Sequence, residues 1–490
     1  MSYKLLKSSA VYVFLGFLAP AVNFFLLPIY TRHLDKADYA LITLAMLVQA
    51  IVTPLLHVGM LGAYSRYFYD NLDDKNKLDK LLSTTLIFYL VVGIVFWILG
   101  ALAGPWIFDL SFKNNVFTFE RYGPYILITA LASNIQILIL TYYRNQEQVS
   151  GFAFWSVLFF ITAATAIYIG VAILDLGADG SIKGRMWGSV IALVPLFIFF
   201  FRKRSISFDW SLCKSMLPYA LPLVPYILLN IAFANFDKAL VERNFKLSIL
   251  GEYGFAVLIA SVIEIIMNSV QSAIYPHLFR LLGKVNSSSV NREIVNVFKL
   301  TLVLNMITIA LLISFTGFAL HLFIEKQYWD IMRYFPLLCL VYLPRIIFTI
   351  WCIPIMYQKK TKYLPFINAL SLLLGVFLGI FLIRPLGIFA LPIALFSVQV
   401  SQDIFVYFLN RHLKLQMEAF RHLKKEYILI GILMALTLVS TYLYLTRWPN
   451  VNLFLPVFFV FQFILLVFYF PEIRKFIMHR SMKAKAEPLQ

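Results

Sequence analysis

Long apolar runs alternate with short polar stretches along all 490 residues. An α-helix needs about 20 apolar residues to cross a bilayer, and the runs have this length without the two-residue alternation of barrel strands. We therefore predict an all-α integral membrane protein. The predicted transmembrane helices number about fourteen: 9–30, 41–63, 82–103, 123–143, 152–174, 184–201, 216–237, 251–275, 297–320, 333–357, 363–384, 388–409, 426–446 and 453–470.

Composition supports this prediction, because 61% of the residues are hydrophobic and only 13% are charged. These values exclude a soluble enzyme, a disordered protein, a coiled coil and a disulfide scaffold. The three cysteines are isolated, so neither a disulfide framework nor a metal site is expected. The chain carries no glycine-rich phosphate loop and no hydrolase motif, so we expect no cofactor and no enzymatic activity.

The net charge of +18 is informative through the positions of the cations, which predict the orientation of the chain in the membrane. With the N-terminus inside, 28 of the 42 lysines and arginines fall in or beside inside segments, 13 in or beside outside loops, and Arg345 within a helix. The even number of helices then places both termini in the cytoplasm. Insertion topology and anionic lipids account for most of the cations, so we expect membrane lipids as partners and no nucleic acid.

An internal repeat divides the predicted helices. At an offset of 214 residues, Asp38-Tyr39-Ala40 matches Glu252-Tyr253-Gly254, and Asn23 matches Asp237. Transporters are often built from such repeats. We predict two six-helix lobes around a central cavity, at 1–215 and 216–425, with two further helices and a cytoplasmic tail at 426–490.

Polar residues interrupt several of the apolar helices, where a charge costs about 2.5–3.5 kcal/mol on insertion scales. Such residues should face a cavity or a partner. Arg345 lies at the midpoint of helix ten and Glu264 at the midpoint of helix eight. Two interpretations stay open for them: they line a hydrated cavity, or they pair locally for structural reasons.

Other polar residues of these helices have the same two interpretations. His57 is either a proton carrier or a helix contact, and Asp237 and Lys238 could simply pair with each other near the outer surface. Asp403 of helix twelve and Asn23 of helix one are the remaining candidates. No carboxylate, histidine or cysteine cluster with metal-ligand spacing accompanies them.

Four short motifs resemble those of a known family. They are an apolar helix ending in Pro28, Thr31-Arg32 and the Asp38-Tyr39-Ala40 turn; the Gly59–Phe68 stretch with Arg66; the Pro-rich helix from Leu221 to Asp237-Lys238; and Glu252-Tyr253-Gly254. The chain resembles the O-antigen and capsule repeat-unit flippases of the multidrug/oligosaccharidyl-lipid/polysaccharide (MOP) exporter superfamily. One departure is Ala40, where the family usually has glycine.

The resemblance implies that the chain moves an undecaprenyl-diphosphate-linked oligosaccharide across the bacterial cytoplasmic membrane by alternating access. It also implies coupling to H⁺ or Na⁺ and contact with polysaccharide polymerase or chain-length proteins. Cations would bind the diphosphate, and carboxylates would carry the coupling ion. The implied substrate-binding residues are Arg345, Arg32, Arg66, Lys238, Asn23 and His57, and the implied ion-coupling residues are Glu264, Asp237 and Asp403.

Two alternatives remain open. A cation-coupled drug antiporter of the same superfamily would favour acidic cavity residues, and a mid-helix arginine argues against it. A membrane-embedded polymerase or glycosyltransferase typically has a large outside loop with catalytic residues. The longest outside loop here, at about 104–122, carries only Asp109, Lys113, Glu120 and Arg121.

Overall fold

The computed structural model describes residues 15, 18–71, 74–200, 202, 206–282, 288–358, 360–413, 422–446 and 456–471. The chain divides into two compact units, one ending at Gly254 and the other beginning at Phe255. We call them the N-unit and the C-unit. Residues 216–254, which the sequence assigns to the second lobe, pack within the N-unit. The predicted lobes and the cavity between them stay predictions.

The N-unit consists of helices joined by short connections. They are α1 (Leu18–Phe25), α2 (Leu27–His33), α3 (Lys36–His57), α4 (Met60–Asp70), α5 (Lys75–Ser111), α6 (Phe119–Asn145), α7 (Val149–Tyr168, then a π-helical turn Ile169–Ile173), α8 (Gly177–Pro195, then a π-helical turn Leu196–Phe200), α9 (Trp210–Ala220) and α10 (Leu223–Asn244). Side-chain caps start three of the long helices: Asp35 caps α3, Asp74 caps α5 and Thr118 caps α6.

The C-unit has the same character. Its helices are α11 (Leu247–Leu282, which starts in the N-unit), α12 (Ser288–Phe323), α13 (Phe335–Leu340), α14 (Tyr342–Tyr357), α15 (Leu364–Leu386), α16 (Ala390–His412), α17 (Lys424–Thr446) and α18 (Pro456–Pro471). Short 3₁₀ turns connect them at Lys326–Arg333, Thr361–Tyr363 and Gly387–Phe389. The described residues contain no strand, which confirms the all-α prediction.

Eleven helical segments of the described chain are long and apolar enough to cross a membrane. One of them, Leu364–His412, consists of two helices of 23 residues each, α15 and α16, which pack against each other. The predicted first helix is described mainly from residue 18 onward, and the predicted last helix is the shorter α18. The protein is thus a multi-pass membrane protein, and the count of fourteen stays a prediction.

Glycines allow α8 to pack unusually close to α7. A Cβ on Gly184 would lie 2.7 Å from the carbonyl oxygen of Ala166, and one on Gly188 would lie 2.6 Å from Ala163 Cα. Such small-residue spacing lets the backbones of two membrane helices touch. The packing fixes α8 against α7, and α8 carries the functional candidate described next.

Candidate functional site

A membrane-embedded arginine of the N-unit, Arg185, is surrounded by neutral polar groups. It lies eight residues into α8, about 12 Å along the helix axis. Its Nη2 donates to Asn23 Oδ1 at 2.7 Å, and the hydroxyl of Tyr30 lies beside the guanidinium. The same hydroxyl is hydrogen-bonded to Ser181 Oγ at 3.0 Å. Helices α1, α2 and α8 therefore position one cation together.

Arg185 also borders an open recess within the N-unit. Three of the lining residues carry polar side chains that can bind a ligand, Gln49, Thr129 and Ser181, and the rest are mainly apolar. The apolar members include Ile42, Ala45, Met46, Ile126 and Ile182. A guanidinium, an amide and hydroxyls set in an apolar wall are groups suited to binding an anionic, hydroxyl-rich ligand.

The charge of Arg185 has no counter-ion in the part of the chain that the structure describes. No described carboxylate lies within 4.0 Å of its guanidinium, whereas Arg121 and Lys183 both contact Asp179. Arg185 is half-buried, so water screens its charge only in part. An anion that enters the recess would meet a cation that no protein carboxylate has already neutralised.

The membrane-embedded arginine of the C-unit, in contrast, is paired with a carboxylate. Arg345 of α14 donates from Nη2 to Glu264 Oε1 of α11 at 2.5 Å, and both side chains are about one-third exposed, at 33% and 35%. Further along the same two helices, two turns beyond Glu264 and one turn beyond Arg345, Gln271 donates to Thr349 Oγ1 at 3.3 Å. Of the two interpretations of Arg345 and Glu264, the structure shows local pairing.

Asp403 lies on the buried side of α16 in the C-unit. It is 8% exposed, and its Oδ1 has no hydrogen-bond partner. The preceding residue of α16, Gln402, donates to Asn368 Oδ1 of α15 at 2.8 Å. A carboxylate in such surroundings is unusual, because buried charges normally have a partner.

The structure separates Asp237 from Lys238, so the expectation that they could pair with each other is wrong. Asp237 is buried and accepts a 2.7 Å hydrogen bond from the Tyr253 hydroxyl, whereas Lys238 Nζ donates to Asn235 Oδ1 at 2.8 Å. Neighbouring residues of a helix point about 100° apart, so each side chain finds its own partner.

The remaining candidates are His57, Arg32 and Arg66 of the first four helices. His57 Nδ1 accepts from the backbone N–H of Gly59 at 3.0 Å, which agrees with a helix contact. Arg32 is exposed at the end of α2, and Arg66 is exposed with its guanidinium 5.0 Å from the centre of the Tyr219 ring. These residues do not join the Arg185 recess in the described structure, and their predicted roles stay predictions.

Sequence reasoning missed Arg185 because it placed the start of the sixth helix at residue 184. The stretch from Gly177 to Lys183 reads as a polar loop, but it forms the first two turns of α8. The spacing of Gly180, Gly184 and Gly188 was the available signal, since glycines four residues apart are typical of packed membrane helices. That signal would have moved Arg185 from the first residues of the predicted helix to its middle.

Comparison with known proteins places the chain among relatives of similar architecture. A family described as "Polysaccharide biosynthesis protein" matches residues 5–282, which is more than half of the chain. "Lsg locus putative protein 1" of Haemophilus influenzae is 23% identical over 291 residues. That alignment covers 57% of this chain and 67% of the relative.

Solved structures share the fold. An inward-facing multidrug resistance MATE family transporter of the MOP superfamily has a TM-score of 0.64 at 14% identity, covering 83% of this chain and 99% of that one. A mutant of a Vibrio cholerae MATE transporter gives a TM-score of 0.57 at 15% identity, covering 84% and 96%. At such low identities the likeness concerns the fold alone.

Proposed function

Because the chain belongs to the polysaccharide biosynthesis protein family, we propose that it is a flippase for lipid-linked oligosaccharides. Its substrate is an undecaprenyl-diphosphate-linked repeat unit, moved from the inner to the outer leaflet of the bacterial cytoplasmic membrane. The family supports the polysaccharide context, and the MATE-like fold supports transport by alternating access. The product would feed surface polysaccharide assembly.

The observation that carries this proposal is Arg185. A diphosphate is strongly anionic, and moving it across a membrane requires cations that replace part of its hydration. The guanidinium of Arg185 has two neutral partners, Asn23 and Tyr30, so its charge is available to such a ligand. The amide of Gln49 and the hydroxyl of Ser181 lie on the same recess and suit phosphate oxygens or sugar hydroxyls.

The other parts of the proposal follow from the charge distribution. The excess of cations in the predicted inside segments supports cytoplasmic termini. The chain is a transporter in this proposal rather than an enzyme, and polymerase or chain-length proteins would take its product. Arg345 is a second contact for the anion only if Glu264 releases it.

The leaflet that holds the lipid-linked unit tests this function. Removal of the protein should leave single repeat units on the inner leaflet, protected from an impermeant reagent that oxidises or binds sugars. Restoring the protein should make the units reactive from outside. Units that accumulate outside in its absence would instead identify a polymerase and would contradict a flippase.

A matched pair of arginine variants tests the binding site. Arg185→Gln removes charge-assisted hydrogen bonds worth about 1.5–3 kcal/mol, so transport should fall about tenfold or more at equal protein level. Arg144→Gln, at an exposed position near the end of α6, should transport normally. Equal activity of both variants would remove Arg185 from the substrate path.

A drug antiporter is the second candidate, because the solved structures with this fold include multidrug transporters. An antiporter for cationic compounds would be hindered by the uncompensated charge of Arg185. Cells that overproduce the chain should therefore show no added efflux of a cationic dye. If efflux increased in the Arg185→Gln variant, drug antiport would be favoured over the flippase function.

A further inference from the structure

Residues 206–210, which we call the connecting segment, lie between α8 and the first turn of α9 and present apolar side chains outward. Ile206, Phe208 and Trp210 are 54%, 43% and 63% exposed. The rings of Phe208 and Trp210 contact each other, with their centres 6.3 Å apart. Every second residue of the connecting segment thus carries a large apolar side chain that the described part of the protein leaves exposed.

The residues between these apolar side chains are bound to α5. The carbonyl oxygen of Ser207 accepts a 2.7 Å hydrogen bond from Ser83 Oγ, and the backbone N–H of Asp209 donates to Thr84 Oγ1 at 3.2 Å. The Asp209 carboxylate lies 2.7 Å from Lys80 Nζ. Since successive side chains of an extended backbone point in opposite directions, these contacts direct the apolar side chains away from α5.

The position of the connecting segment along α5 corresponds to the surface of the bilayer. Its contacts on α5, at residues 80–84, lie where the charged first turns of the helix end and an uncharged run, 81–108, begins. The helical segment before it ends at Phe200, so the chain has just left the apolar part of α8. The connecting segment therefore lies near the lipid headgroups, on the side that the sequence predicts to be cytoplasmic.

The backbone of the connecting segment argues against a position among the lipid tails. Neither the N–H nor the C=O of Phe208 forms a hydrogen bond with a described residue. Lipid tails offer no hydrogen bonds, so irregular backbone is not found exposed to them. Water at the headgroup level can satisfy these groups, and tryptophan is enriched at the same level.

Exposed cations accompany the apolar side chains. Lys214 follows Trp210 by four residues, so both lie on one face of α9, whereas Cys213 and Met216 belong to its buried face. Arg202 precedes the connecting segment by four residues and is also exposed. Neither cation forms an ion pair with a described residue. Cations beside apolar side chains are complementary to a membrane surface that contains anionic lipids.

We propose that the connecting segment binds anionic phospholipids of the cytoplasmic leaflet and anchors the start of α9 to the membrane surface. Ile206, Phe208 and Trp210 insert between the headgroups and the first part of the lipid tails, and Arg202 and Lys214 bind lipid phosphates. None of these residues lines the Arg185 recess. The lipid contact is therefore separate from the proposed transport function, and either can fail without the other.

The depth of Trp210 in the membrane tests the apolar part of the proposal. The chain has eight tryptophans, so the signal of Trp210 is the fluorescence difference between the unchanged protein and Trp210→Phe in nanodiscs. Lipids with a quencher near the headgroup should reduce this signal more than lipids with a quencher at the tail end. The double variant Ile206→Ser/Phe208→Ser should lose most of the quenching by lipids. Since both residues are exposed, this variant should fold.

Two outcomes of the depth measurement would overturn the proposal. If aqueous iodide quenches Trp210 and no lipid does, the connecting segment faces water or another protein. If the tail-end quencher is the more effective one, Trp210 lies in the hydrocarbon and not at the headgroups.

The charge of the lipid tests the role of the two cations. Nanodiscs contain phosphatidylglycerol and phosphatidylcholine in equal amounts, with the headgroup-level quencher on one lipid at a time. Because each cation at a membrane surface favours an anionic lipid about fivefold, the quencher on phosphatidylglycerol should be several times more effective. Arg202→Gln/Lys214→Gln should abolish this preference.

The matched control for the cations is Lys113→Gln, an exposed lysine just beyond the other end of α5. This variant should keep the preference for phosphatidylglycerol. Equal quenching by the two lipids in the unchanged protein would overturn the proposal. A preference that survives in Arg202→Gln/Lys214→Gln would overturn it as well.

Discussion

The N-unit and the C-unit both place an arginine within an apolar helix, but they compensate its charge differently. Arg185 of the N-unit has the amide of Asn23 and the hydroxyl of Tyr30 as partners, whereas Arg345 of the C-unit has the carboxylate of Glu264. In sequence, Arg345 stands out at the middle of an apolar run, whereas Arg185 follows the polar start of its helix. The partner comes from a different helix in each case, so only the packing decides whether the cation remains available.

This difference predicts different roles for the two units. An arginine with neutral partners can receive an anionic ligand without first breaking an ion pair. An arginine already paired with a carboxylate must lose that partner, which costs a charge-assisted hydrogen bond. We therefore expect the N-unit to hold the anionic part of a substrate and the C-unit to respond to ions.

The boundary between the two units depends on residues 216–254 packing within the N-unit, and Gly251→Ala breaks that packing. A Cβ on Gly251 would overlap the carbonyl oxygen of Lys36 at the start of α3. Separation of the helices would also strain the 2.9 Å ion pair between Lys36 and Glu252. We expect a loss of about 3 kcal/mol of stability, since overpacking against backbone is poorly relieved. Thermal melting in detergent measures it.

The matched control is Gly431→Ala in α17, where a Cβ would meet no atom within 4 Å. Alanine is the better helix former, so this change should raise stability by about 0.5–1 kcal/mol. Hydrogen exchange in the Gly251→Ala protein should increase within residues 216–254. An increase confined to residues after 255 would show that the unit boundary is misplaced.

Removing one partner of the C-unit ion pair should lower the stability of the protein by an intermediate amount. Arg345→Gln leaves Glu264 half-buried without its cation, and we expect a loss of about 1–2 kcal/mol because solvent screens the pair in part. The double variant Arg345→Gln/Glu264→Gln should be more stable than the single variant, since two neutral amides remain. Melting temperatures of the unchanged protein, the two single variants and the double variant give the coupling energy of the pair.

Transport by the same variants separates the two arginines. The double variant should transport far better than Arg185→Gln if Arg345 serves mainly as a partner of Glu264. A double variant as inactive as Arg185→Gln would assign Arg345 to the substrate path and would remove the contrast between the units.

The smallest effect is expected at a surface ion pair of the N-unit. Asp209 starts α9, and its Oδ2 lies 2.7 Å from Lys80 Nζ. The hydrogen bond from Lys80 lowers the pKa of Asp209 below its usual value of about 3.9. The pair therefore stabilises the protein above that pH, and its contribution disappears as the pH falls through the lowered pKa.

Melting curves recorded through this acidic range check the assignment. The difference between the unchanged protein and Asp209→Asn should shrink as the pH falls. Asp330→Asn at the Asp330–Arg333 pair of the C-unit provides the comparison on the other unit. A constant difference for Asp209→Asn across the range would contradict a stabilising role of its charge.

Most of the helical architecture was predictable from sequence. Lipid requires apolar side chains and internally satisfied backbones, so the run predicted at 123–143 is visible and forms part of α6, Phe119–Asn145. The family match also confirms the polysaccharide part of the resemblance, and the fold is shared with solved transporters of the MOP superfamily. Both predictions rest on local sequence patterns, which can be recognised without knowing how the helices pack.

The site was predictable only in part, because partners come from distant positions. The sequence identified Arg345, Glu264 and Asn23 as unusual, but it could not show that Asn23 contacts a residue 162 positions away. Arg185 was hidden by the polar start of α8. Burial of Asp403 was expected from its helix, whereas the lack of any described partner required coordinates.

The close contact of α7 and α8 has a mechanical consequence for the arginine. Since Gly184 and Gly188 bring the two backbones together, α8 can neither rotate nor slide along α7 without a collision. Arg185 follows Gly184 directly, so its direction is set by a neighbour that contributes no side chain to the recess. A search for transport mutants restricted to polar residues would overlook these glycines, although we expect a single added methyl group there to change the direction of the Arg185 side chain.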